Sequence, residues 1–159
     1  LGEKFPNLKR YGLEGAESMM VALDRLFELS AKNNIQDVVI GMPHRGRLNL
    51  LCDLLQYPYA ALFHKMKGHS ELPEGTFGSG DVISHLVSNP DLTYGGKKVH
   101  VSLLANPSHL EAINPVAMGK ARAKQTALLA SSDETCNLGD RVMCVQIHGD
   151  AVSLALYTR

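Results

Sequence analysis

Histidine appears in three short polar segments that each follow an apolar run, and these segments hold the residues best suited to chemistry. They read Met42-Pro43-His44-Arg45-Gly46-Arg47, Asn106-Pro107-Ser108-His109-Leu110-Glu111 and His148-Gly149-Asp150. Arg45 and Arg47 carry planar, permanently charged forks suited to phosphate or carboxylate oxygens. A helix N-terminus following them adds partial positive charge, so an anion is the expected ligand. Asp150 is a hard oxygen ligand of the kind that holds magnesium against a diphosphate. Imidazoles in such a place hydrogen-bond a carboxylate or keto oxygen and move protons near neutral pH. Taken singly, His and Arg at loop starts more often cap helices or satisfy backbone carbonyls, by roughly two to one. Repetition at successive strand ends is what moves the balance toward binding.

The elements that must position these segments are legible from periodicity. Met20, Leu23, Leu26, Phe27 and Leu29 fall on one face of a helix from about Glu14 to Lys32, with Asn33-Asn34 as its stop. Asp37 to Met42 is a short β-branched run, as expected of a strand buried on both faces, and Pro43 ends it. Helical spacing returns from Arg47 to Gln56, and a further helix starts at Pro58 and runs to Met66. Residues 67–80 have loop composition, and their length suggests a functional loop. Asp81 to Val87 is ambiguous. Lys98 to Ala105 reads as a second strand entered through a Gly95-Gly96 turn. Ser108 and Glu111 fit a capping box, and Asn114-Pro115 fits the start of a helix to about Ala130. Arg141 to Ile147 reads as a third strand. Strands separated by helices imply an α/β fold, a mostly parallel sheet covered by helices. The carboxyl ends of parallel strands lie along one edge, where ligands bind, so the three polar segments are expected to converge.

Composition removes several function classes. The 16 basic and 16 acidic residues balance, which leaves no long-range field for a phosphate backbone or an anionic membrane. Nucleic acid is therefore not an expected partner, and no apolar run approaches the ~20 residues of a membrane span. Leu1 to Arg10 has neither a signal core nor a transit pattern. Cys52, Cys136 and Cys144 are widely spaced and form no C-x-x-C pair, as in a reducing compartment. His64, His69 and His100 lack the strand-end context and read as surface or packing residues, while Lys120, Arg122 and Lys124 read as a solvated helix face. Gly78-Ser79-Gly80-Asp81 lacks the third glycine of a dinucleotide loop, and Gly68-His69-Ser70-Glu71 lacks the closing glycine of a nucleophile elbow.

Four segments, in order, resemble the thiamine-diphosphate-dependent 2-oxoglutarate dehydrogenase family. They are Lys9 to Ser18 (KRYGLEGAES), Gly41 to Asn49 (GMPHRGRLN), Asn106 to Glu111 (NPSHLE) and His148 to Ala151 (HGDA). Gly80 to Leu86 (GDVISHL) looks more like the 2-oxoadipate branch, since the 2-oxoglutarate branch usually has a lysine and a tyrosine before that histidine. The resemblance implies a partial thiamine-diphosphate-binding fold and oxidative decarboxylation of 2-oxoadipate or 2-oxoglutarate, with acyl transfer to a lipoyl group. It implies thiamine diphosphate and Mg²⁺ as cofactors, Arg45 contacting the former and Asp150 ligating the latter. His44 and His85 match histidines on the substrate side, and Ser88 or Asn89 lies near a serine that recognises substrate. A lipoyl-bearing acyltransferase is the implied partner and a homodimer the implied parent, in the mitochondrial matrix of a eukaryote or the cytoplasm otherwise.

The family match runs to about residue 151, and residues 152–159 (VSLALYTR) depart from it. There the family usually continues with an aromatic residue and a G-Q-G segment, and later adds an asparagine pair at the magnesium and a glutamate at the aminopyrimidine. Residues 1–159 are thus expected to form an incomplete cofactor-binding domain, inactive alone. The competing expectation is a non-catalytic, truncated interaction module.

Overall fold

The computed structural model describes residues 3–8, 11–69, 75, 82–105, 112–131, 137 and 139–148. Helix α1 spans Ser18–Lys32, and strand β1 spans Asp37–Gly41. Helix α2, Arg47–Asn49, runs directly into a π-helical turn, Leu50–Leu54, and α3 follows at Tyr59–Met66. A 3₁₀ turn, Ile83–His85, precedes the hairpin β2, Asp91–Tyr94, and β3, Lys97–Leu103. The chain continues through α4, Ile113–Ser131, to β4, Val142–Gln146.

The four strands lie in the order β2-β3-β1-β4. β1 pairs parallel with both β3 and β4, and only β2 runs antiparallel, at the edge. The mostly parallel α/β sheet is therefore as expected, with one strand the periodicity did not predict. α1 packs against β2 and β3, and α4 against β1 and β4. Alternation along β1 divides the core: Val38 and Ile40 join Leu23, Phe27, Val99, Val101 and Leu103, while Val39 joins Ile113, Ala117, Ala121 and Val142 beneath α4. Close approach of α4 needs Gly41, because a Cβ there would lie 3.2 Å from Ile113 and 3.3 Å from Ala117.

Boundaries moved in physically interpretable ways. The predicted 47–56 helix forms, but it widens from α to π pitch after Asn49. α4 begins at Ile113, two residues before Pro115, whose missing N–H costs nothing in a first turn. Asn114 thus sits inside the helix rather than capping it, and the Ser108–Glu111 capping box lies outside the described residues. Lys124 is not on a solvated face: its ammonium reaches Asp37 Oδ1 at 2.5 Å, at the start of β1. Burial, and then the neighbouring Lys124, lower the Lys120 amine from its ordinary range. His100 Nδ1 pairs with Asp91 across the hairpin at 2.7 Å, and that hydrogen bond holds the Asp91 carboxyl below its usual range. Exposed His64 and His69 stack on each other, with ring centroids 4.5 Å apart. Cys52 and Cys144 are free thiols. No helix among the described residues is long and apolar enough to cross a membrane.

Candidate functional site

Parallel pairing puts the carboxyl ends of β1, β3 and β4 on one edge, and backbone hydrogen bonds knit the segments that leave it. Leu104 N–H donates to Ile40 O at 3.0 Å, and Ile147 N–H donates to Gly41 O at 2.9 Å. Leu103 N–H donates to Ser88 O at 2.8 Å, which brings the stretch just after His85 to the end of β3. His44 and Arg45 follow β1, His148 follows β4, and His85 closes the 3₁₀ turn. Four of the sequence-predicted residues therefore occupy segments of one rim. Asp150 and Asn106 to Glu111 lie outside the described residues.

The two arginines separate in role. Arg45 is exposed, and among the described residues nothing holds its guanidinium, so it is available to an anion. Arg47 is fully buried, at 0% exposure, which corrects its reading as an anion ligand. Its Nε and Nη2 donate to Leu86 O at 3.1 and 2.7 Å, and Nη2 also donates to Leu104 O. Nη1 lies farther from Met42 O, at 3.5 Å. For this residue the plainer expectation, satisfying backbone carbonyls, is the correct one.

His44 is half-buried beneath Tyr11, with ring centroids 3.8 Å apart and a tilt of 38°. No protein group among the described residues reaches its buried Nδ1. A buried ring nitrogen without a partner costs about 1–3 kcal/mol unless water or ligand meets it. Periodicity gave no sign of Tyr11 as a site residue. It belongs to a strap held from below, because Gly46 N–H donates to Tyr11 O at 3.4 Å and Gly12 O at 3.2 Å. Gly46 has φ +68°, and a Cβ on it would stand 2.2 Å from Leu13 Cδ1. Gly46→Ala is thus expected to cost about 1–3 kcal/mol in urea unfolding, from left-handed strain and displacement of Leu13.

Ser88 is half-buried and bonded through its backbone, and Asn89 is exposed. Behind the strap is a cleft of about 630 Å³ walled by Tyr11, Asn49, Cys52, Asp53, Tyr59 and Phe63. Burial pushes the Cys52 thiol up, the opposite of what a nucleophile needs. The exposed guanidinium of Arg45 and the unmet nitrogen of His44 fit an anionic, hydrogen-bonding ligand such as a diphosphate cofactor or an oxo acid. Among the described residues no three His, Cys, Asp or Glu side chains gather to hold a metal.

An α/β domain with an anion-ready rim is a broad class, and comparison with known proteins narrows it. No protein-family model matches the chain. Over 155 residues, 95% of this chain, it is 54% identical to the human 2-oxoadipate dehydrogenase complex component E1. It is also 54% identical over 151 residues to a probable homolog of that component in Dictyostelium discoideum. Identity is 46% over 151 residues to the 2-oxoglutarate dehydrogenase E1 component of Brucella ovis. Over nearly its whole length the chain is similar to 2-oxo acid dehydrogenase E1 components, and its α/β sheet accords with part of a thiamine-diphosphate-binding fold. It spans 17% of the human protein's length and 15% of the Brucella protein's.

Proposed function

We propose that this chain is the segment of a 2-oxo acid dehydrogenase E1 component that receives the diphosphate end of thiamine diphosphate. The polypeptide carrying it would oxidatively decarboxylate 2-oxoadipate, with 2-oxoglutarate as the alternative substrate, and pass the acyl group to a lipoyl-bearing acyltransferase. When bound, the cofactor supplies the electron sink that lets a 2-oxo acid lose carbon dioxide. This chain's own part would be binding and orientation: Arg45 would hold the diphosphate, Asp150 would ligate Mg²⁺, and His44 and His85 would face the oxo acid. The chain spans 17% of the human relative's length, so in this reading catalysis belongs to the longer polypeptide that carries the segment. A homodimeric parent, in the mitochondrial matrix of a eukaryote, belongs to the same reading.

The observation that carries it is 54% identity across 95% of the chain. The test is a chimera in which this chain replaces the matching segment of the human 2-oxoadipate dehydrogenase E1 component. It should turn over 2-oxoadipate faster than 2-oxoglutarate. A folded chimera that binds thiamine diphosphate but decarboxylates neither acid would refute the reading, in favour of a non-catalytic interaction module.

A further inference from the structure

We propose that Arg47 is the positioning residue of this site, a buried clasp that fixes the His44–Arg45 turn and the His85 turn relative to each other. The proposal rests on the rim being the cofactor site. Among the described residues, carbonyls of three different segments accept from Arg47. Met42 lies just past β1, two residues before His44, Leu104 just past β3, and Leu86 directly after His85. Two donors of one guanidinium converge on Leu86 O, at 3.1 and 2.7 Å, so the carbonyl is fixed in direction as well as distance. A planar fork of five donors does this with little rotational freedom, whereas a lysine ammonium is a point charge on a more flexible stem.

Full burial makes the clasp demanding. At 0% exposure water does not replace a lost donor, so a substitution strands the Leu86 and Leu104 carbonyls. Relief comes only from movement of the segments that carry them, and the segment bearing Leu86 also bears His85. Chemistry at the rim therefore depends on Arg47 without contact between Arg47 and substrate. Sub-ångström placement of catalytic groups is where such indirect losses are read.

The test uses the whole 159-residue chain, in the variants Arg47→Lys and Arg47→Gln. Leu92→Ala serves as a core comparator on the edge strand β2, since Leu92 is 3% exposed and pairs with Val99 rather than with the carboxyl end of β3. Amide hydrogen exchange of residues 85–88 and 103–105 and the ring NMR shifts of His44 and His85 are measured. Exchange at those amides should rise about tenfold beyond that in Leu92→Ala, after correction to equal global stability. Both histidine shifts should move in the Arg47 variants alone. If Gln unfolds the chain, Lys decides, because it retains the charge and loses only the fork. Exchange rising uniformly, as in the comparator, with unchanged histidine shifts would overturn the proposal. Neither readout needs cofactor or substrate, so an inactive chimera would refute the proposed function and leave this result standing. In an active chimera, Arg47→Lys should lower kcat about tenfold and shift KM by less than about twofold.

Discussion

Arg45→Ala in the human-framework chimera should weaken thiamine diphosphate binding about 10- to 100-fold while changing folding stability by less than about 0.5 kcal/mol. The two halves of this expectation have separate causes. Arg45 is exposed and enters no hydrogen bond or ion pair among the described residues, so its removal strands no described partner. Its exposed guanidinium can pair with diphosphate oxygens, and charge-assisted hydrogen bonds are roughly twice as strong as neutral ones. Isothermal titration at two salt concentrations reads the charge directly, because the parent's affinity should fall more steeply with salt than the variant's. A variant that binds the cofactor normally would remove Arg45 from the site. The contrast with Arg47 makes the pair informative: one arginine is expected to cost binding alone, and the other to disturb the rim itself.

Why the sequence could not separate these arginines is a matter of direction. Both follow His44 and both are always charged, so residue type gives them one meaning. A clue was nevertheless present. Arg47, Leu50 and Leu51 share the i, i+3, i+4 spacing that puts a side chain on the buried face of a helix, and all three are 0% exposed. Arg45 precedes that helix and escapes its phase. The hairpin was similarly within reach. Gly95 and Gly96, at φ +56° and +82°, form the two-residue turn that joins antiparallel strands, which called for a strand on both sides. Only β3 was predicted, since Leu92 is the one fully buried residue of the four-residue β2. By contrast, α1 follows from its apolar period and β1 and β4 from their apolar runs, while Pro58 and Asn114-Pro115 mark the starts of α3 and α4. The stacking of Tyr11 on His44 had no local signal, as it joins residues from separate segments whose contact depends on the tertiary fold. Nor does any residue type in Leu50 to Leu54 call for π pitch.

Phe27→Ala is expected to cost about 3–5 kcal/mol and lower the melting temperature by roughly 10 °C in a chain of this size. Phe27 is 0% exposed and sits with Leu23 and Ala31 on the stripe of α1 that faces β2 and β3. Truncating it removes its transfer free energy and leaves a cavity that a strand bonded on both sides, as β3 is, cannot collapse to fill. The consequence extends to the rim, because Leu103 belongs to the same apolar cluster as Phe27 and its N–H holds Ser88, near His85. Val21→Ala on the same helix is the internal control. Val21 is 74% exposed, so the same kind of truncation should change stability by less than about 0.5 kcal/mol. Urea unfolding of the two variants side by side separates packing from helix propensity, since alanine is the better helix former in both cases. Similar losses in the two would mean that α1 does not cover the sheet through this stripe, and the face that supports the rim would have to be assigned elsewhere.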